Sequence, residues 1–181
     1  TALEETATEI AERGGEVETE VVDVRDYEAC TQMVARAVGR FGHVDALVNS
    51  AGIGGLGSVL SSTAEEFAQV LDTTLTGCFR CLRAVSHVMK TRGGGSIVNI
   101  SSIASTHTHR WMTAYCTAKA GLNMLTRCAA DDLGEFGIRV NAVCPGLVRT
   151  EMVEALTSNE AVVAEYLRRM VRMNLARGVD I

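Results

Sequence analysis

Four short runs rich in aliphatic and β-branched residues, VETEVVD (17–23), VDALVN (44–49), SIVNIS (96–101) and IRVNAVC (138–144), alternate with stretches of helical periodicity, and this alternation constrains the fold more than any other feature of the chain. Strands separated by helix-length connections pair in parallel, because each connection must cross back over the sheet. The reading is α/β: a doubly wound parallel sheet with helices on both faces. Helices are expected at 2–13, 26–41, 64–91, 112–135 and 158–174. The long one opens with Thr63 and with Glu66 three residues later, the spacing of a capping box. Its apolar positions Phe67, Leu71, Leu75, Cys78, Leu82 and Val85 recur at helical spacing. There is no internal repeat and one proline, so residues 1–181 read as a single domain.

Hydrophobic residues make up 47% of the 181, enough for one core. A net charge of −5 offers no basic footprint for nucleic acid, and no basic amphipathic helix suggests a membrane surface. The longest uncharged stretch, Ala46 to Ala64, holds four glycines and four serines, so it reads as loop rather than bilayer span. The six cysteines are scattered through apolar segments, the usage of buried thiols in a cytoplasmic protein. Cys78 and Cys81 lack the second pair that a zinc site needs, and His107 and His109 have no carboxylate or thiol at ligand spacing, so no metal is expected. The chain opens without an initiator Met in the acidic helical text TALEETATEIAER, and its true start is expected to lie upstream.

In parallel sheets ligands bind beyond the carboxyl ends of the strands. The informative residues therefore follow Asp23, Asn49, Ser101 and Cys144. One of only two lysines, Lys119, stands four residues after Tyr115, one of three tyrosines. On a helix that spacing puts both side chains on one face. A phenol with an ordinary pKa near 10 is a poor proton carrier at neutral pH, and a nearby ammonium would lower it. Ser102, at a strand end, can donate a hydrogen bond to a substrate oxygen as charge develops there.

A competing signal is GIGGLG, Gly52 to Gly57, which spells the dinucleotide fingerprint after a strand. That fingerprint needs its last glycine to open the helix, so that a pyrophosphate meets the N-terminus. Here the capping signals put the helix six residues later.

VNSAG (48–52), IVNISS, Tyr115-x-x-x-Lys119 and VNAVCPGLVRT occur in order, with Ser102 thirteen positions before Tyr115. The set resembles the short-chain dehydrogenase/reductase family, and is most similar to its 3-oxoacyl-carrier-protein and polyketide ketoreductases. The resemblance implies a Rossmann-type fold, an NAD or NADP cofactor, and hydride transfer between the nicotinamide and a ketone or secondary alcohol, possibly carrier-bound. It implies Ser102, Tyr115 and Lys119 as catalytic residues, Lys119 also holding the nicotinamide ribose. It further implies cofactor contacts from Asp23 and the Val24 backbone at adenine, from Asn49, Ala51 and Gly52 on the adenosine side, and from Pro145, Gly146, Val148 and Thr150 at the carboxamide and phosphates. It implies a homodimer or homotetramer built on the two long helices. The family's first strand-helix-strand unit and last strand are not matched, so the chain reads as a fragment.

The family's fourth catalytic residue is an asparagine in the long helix, where this chain has Thr74 within TLTGCF. A threonine hydroxyl can hold a relay water with fewer groups than an amide, so an asparagine there is expected to raise activity. The alternative function is a binding or assembly subunit without catalysis. Substrate identity, reaction direction and the choice between NAD and NADP are not legible.

Overall fold

The computed structural model describes residues 1–146, 148 and 164. Three strands, β1 (Ala46–Asn49), β2 (Gly95–Ile100) and β3 (Ile138–Val143), form a parallel sheet in the order β1-β2-β3. Helices α1 (Ala2–Glu12), α2 (Tyr27–Phe41), α3 (Ala64–Leu71), α4 (Gly77–Arg92) and α5 (Thr113–Gly134) occupy the intervals.

Local chemistry sets the helix limits. The Asp26 carboxylate accepts from the N–H groups of Glu28 and Ala29 and opens α2, and Gly42, at φ 82°, closes it in the left-handed region where a Cβ is disfavoured. Thr63 and Glu66 form the expected reciprocal box, Thr63 Oγ1 accepting from Glu66 N at 3.1 Å and Glu66 Oε2 from Thr63 N at 2.9 Å.

One face of the sheet carries the core. Leu47, Ile97 and Val140 lie in register across the three strands, and pack with Val34 of α2, Leu82, Val85 and Met89 of α4 and Ala129 of α5. The next row holds Asn49 and Asn99, both buried. Asn49 Nδ2 donates to Asn99 Oδ1 at 2.9 Å, Asn99 Nδ2 donates to Thr126 Oγ1 at 2.9 Å, and Thr126 Oγ1 donates to the Leu122 carbonyl. Burying amides is tolerable because they satisfy one another. On the opposite face Val48 is 61% and Val143 49% exposed.

Two elements differ from the sequence reading. Residues 17–23 form no strand: a strand is held by ladder hydrogen bonds, and no described strand lies beside this stretch. Ion pairs from Glu16 to Arg40 and from Glu20 to Arg36 tie it to α2 instead. The helix expected over 64–91 is interrupted at Asp72–Thr76 by a π-turn, with the Gly77 N–H reaching back to the Asp72 carbonyl. Hydrophobic periodicity does not reveal such an insertion, because the apolar spacing on either side stays helical. Thr150 and the helix expected at 158–174 lie outside the described residues, Ala164 excepted.

Candidate active site

Strand ends and one helix start build the site. The Ser101 N–H donates to the Val143 carbonyl at 2.7 Å and the Ile103 N–H to the Pro145 carbonyl at 3.0 Å, which fixes the segments leaving β2 and β3 beside each other. Ser102 keeps an extended backbone and caps the short 3-10 turn Ile103–Ser105, its Oγ accepting from Ala104 N at 3.1 Å. The start of α5 is held by the glycine loop: Gly57 N donates to the Trp111 carbonyl and Thr113 N to the Gly57 carbonyl. Trp111 has φ 63°, in the left-handed region, and the bonds that Gly57 makes to its carbonyl and to the Thr113 N–H hold that turn in place.

From that start, Tyr115 and Lys119 project from one face of α5. Lys119 Nζ lies 5.6 Å from the centre of the Tyr115 ring, and the Ser102 hydroxyl is close enough to the phenol to favour its ionised form. The three residues picked from spacing are thus brought together.

Their electrostatics differ from the simple expectation. Burial pushes the Tyr115 phenol above its ordinary value, and the Ser102 hydroxyl opposes this only in part. Lys119 is not what governs it: the ammonium is buried and turned toward the Ile100 carbonyl, to which Nζ donates at 2.7 Å. Burial holds Lys119 below the usual lysine range, against the favourable fields of Cys78 and Cys144. The phenol and the amine are therefore drawn toward their neutral forms.

Thr74 is fully buried on the π-turn. Its Oγ1 accepts from Ile53 N at 3.1 Å and donates to the Ile53 carbonyl at 3.2 Å. Beside it, a Cβ on Gly52 would come within 3.4 Å of Thr74 Oγ1 and 3.9 Å of Lys119 Nζ, so the glycine keeps a narrow space at the lysine. The loop bearing GIGGLG is followed by α3 only at Ala64, which leaves the phosphate-fingerprint reading without its helix terminus.

The remaining expected contacts are dispersed along the strand ends. Asp23 is exposed and chelated by Arg25, with Arg25 Nη2 at 2.7 Å from Oδ2, and this pairing lowers its carboxyl to about 2. Val24 rests on Gly77, where a Cβ would meet Val24 Cγ2 at 2.7 Å. The Asn49 amide is committed to Asn99, which leaves the backbone of Asn49 and Ala51 for any ligand. Among the described residues no atom lies within 4 Å of a Cβ built on Gly146, and Val148 is half-buried.

Spacing arguments missed the backbone groups of Ile53 and Ile100, which carry no side-chain signal, and the thiols of Cys78 and Cys144 near Lys119. Cys78 and Cys81 are buried and their thiols are pushed up to about 11 and about 12, mainly by burial. Cys128 and Cys144, by contrast, are exposed.

A parallel sheet with a serine, a tyrosine and a lysine converging at its strand ends is the arrangement that the resemblance to short-chain dehydrogenases leads one to expect. Residues 1–161 match the short chain dehydrogenase family, and the chain belongs to it. It is 46% identical over 135 residues to a trans-4-hydroxycyclohexanecarboxylate dehydrogenase of Sinomonas cyclohexanicum, covering 75% of this chain and 52% of that relative. The chain thus spans about half the length of that protein. A short-chain dehydrogenase/reductase of Burkholderia xenovorans has the same fold with a TM-score of 0.89 and 32% identity, covering 98% of this chain and 69% of that one. An NAD+-bound xylitol dehydrogenase superposes with a TM-score of 0.81 and 38% identity, covering 84% of this chain and 59% of that one.

Proposed function

We propose that the protein is an NAD(P)-dependent oxidoreductase that interconverts a ketone and a secondary alcohol, with Tyr115 as general acid/base. The observation that carries this reading is the convergence of Ser102, Tyr115 and Lys119 at the ends of β2 and α5. The narrow space kept by Gly52 next to Lys119 and the open backbone at Gly146 fit a nicotinamide cofactor, with Lys119 at its ribose and Pro145 to Val148 and Thr150 at its carboxamide and phosphates. Asp23 and Val24 would meet the adenine, and Asn49, Ala51 and Gly52 the adenosine. When bound, that cofactor supplies or accepts the hydride.

The chain's own residues handle the proton. In the reducing direction the carbonyl carbon gains the hydride while its oxygen takes the Tyr115 proton; in the oxidising direction Tyr115 takes the alcohol proton as hydride leaves the carbon. Ser102 donates to the substrate oxygen and holds it within reach of the phenol. The Tyr115 phenol, kept protonated by burial, is suited to donate, and Lys119 Nζ stands 5.6 Å from its ring centre on the same helix face.

The second reading, a subunit without catalysis, rested on Thr74. It was favoured equally by the unmatched first strand-helix-strand unit, and it separates from the first reading by turnover of the full-length protein. The named relative acts on an alicyclic hydroxy acid, so ring-bearing alcohols and ketones lead the panel of small-molecule substrates, with carrier-bound 3-oxoacyl groups next. A cytoplasmic homodimer or homotetramer, with no nucleic-acid or membrane partner, completes the proposal. No described helix is long and apolar enough to cross a membrane. The test is turnover by the full-length protein of that panel with each of NAD, NADH, NADP and NADPH; no turnover together with no cofactor binding would sink the proposal.

A further inference from the structure

We propose that Arg80 is a positioning residue for the Tyr115 and Lys119 site, acting through the π-turn at Asp72–Thr76; the inference rests on the oxidoreductase reading of that site. Arg80 lies on α4, two turns beyond Asp72, and its Nη2 sits 2.8 Å from Asp72 Oδ1. Nη1 reaches the Asp72 carbonyl at 3.5 Å, the same carbonyl that accepts the i+5 bond from Gly77. One guanidinium thus holds both the side chain and the backbone of the residue that opens the widened turn. A planar fork suits this task.

What the turn does is visible on its inner side. An extra residue in a helix rotates everything beyond it by about 100°, the angle per residue of a 3.6-residue turn. Here the rotation carries Thr74 inward, fully buried, onto Ile53 and beside Gly52 and Lys119. Leu75, the next residue, packs on α5 at Gly121, where a Cβ would meet Leu75 Cδ2 at 2.8 Å. Gly121 is two residues past Lys119. The π-turn therefore touches the site twice, through Thr74 at the glycine loop and through Leu75 at the helix that carries the lysine. If the turn relaxed to α-helix, both contacts would be lost. Arg80 is the described ion-pair partner of Asp72 that holds it open.

An ion pair with Arg80 21% and Asp72 41% exposed contributes little to stability. A positioning role consequently predicts an effect on turnover out of proportion to the effect on stability. The groups facing Lys119 are Tyr115 on its own helix, Cys78 from α4 and Cys144 beyond β3, none of which the substitution touches.

The experiment uses the full-length protein with Arg80→Met, Arg80→Lys and Asp72→Asn. Arg80→Met is expected to lower kcat about tenfold with KM changed less than about twofold, and Arg80→Lys to recover most of the loss. In parallel, the Lys119 Cε resonance, assigned by its absence in Lys119→Arg, is followed through a pH titration in each variant, a readout that needs neither cofactor nor turnover. Its midpoint is expected to move in Arg80→Met and Asp72→Asn. An unchanged kcat and an unchanged Lys119 midpoint, with or without a lower Tm, would overturn the proposal and leave Arg80 a structural ion pair. An inactive parent protein would overturn the oxidoreductase reading only, because the Lys119 resonance still decides the role of Arg80. Should Arg80→Met fail to fold, Asp72→Asn reports through the same two measurements.

Discussion

The Thr74 hydroxyl and the backbone of Ile53 form a closed pair, Thr74 accepting from the Ile53 N–H and donating to the Ile53 C=O from a position with no solvent exposure. The hydroxyl's single proton is therefore spent on the chain itself. The π-turn aims it at the glycine loop, so a relay water could reach Thr74 only by donating to the remaining lone pair of its hydroxyl. Thr74→Val, close in shape, leaves a partly buried N–H and C=O unpaired and is expected to cost about 1–2 kcal/mol, read as a fall in the urea midpoint. Thr74→Asn, expected from sequence to raise activity, should change kcat by less than about threefold, since the pair it would form with Ile53 already exists. A tenfold gain on steady-state assay would show that a water relay was limiting.

Tyr115→Phe removes one hydroxyl from a half-buried ring and leaves the packing in place. Turnover is expected to fall by about 10²–10⁴, the range of a lost general acid. Cofactor binding, followed by nucleotide fluorescence, should stay within about twofold, because the substitution leaves Lys119 untouched. Retention of more than a tenth of the parent rate would remove Tyr115 from the chemistry.

The shift at Tyr115 also makes a statement about alkaline stability. Its pKa is raised in the fold, mainly by burial, so the folded state holds this proton more tightly than the unfolded chain. Stability from this group is complete below the unfolded value near 10 and is lost as pH rises from there through the folded value. Lys119, lowered by burial, works with the opposite sign, stability rising with pH between its folded value and its ordinary one. Thermal melts from pH 8 to above pH 11 should therefore show Tyr115→Phe losing less stability than the parent above about pH 10. Equal slopes for the two proteins would mean that the phenol is not shifted in solution.

Helices α4 and α5 carry apolar side chains outside the core. Phe79 is 44% and Met124 55% exposed, and Phe79, Leu125, Cys128 and Phe136 line a shallow groove between the two helices. A two-fold contact of this face with its own copy would cover them. Phe79→Asp in the full-length protein is expected to shift sedimentation toward the monomer without loss of secondary structure. A parent protein that already sediments as a monomer would remove the proposed assembly.

Much of the fold was legible because each signal was local. Thr63 and Glu66, Asp26, Gly42 and Gly93 fix helix ends through groups only a few residues apart, and those ends lie where the sequence places them. Tyr115, Lys119 and Ser102 were legible for a similar reason: four residues is one helical turn, and a strand end delivers a serine to the same edge of the sheet. What the sequence left open depends on groups far apart along the chain. Whether residues 17–23 form a strand is decided by a neighbour to pair with, not by their β-branched content. The π-turn is decided by contacts of Asp72 with Arg80, Thr74 with Ile53 and Leu75 with Gly121, none of which leaves a periodic trace. The direction in which the Tyr115 and Lys119 pKa values move likewise comes from burial rather than from their spacing. Spacing along a helix sets which side chains meet; only the packed interior sets how much water each one loses, and that loss governs both the proton on the phenol and the cation beneath it.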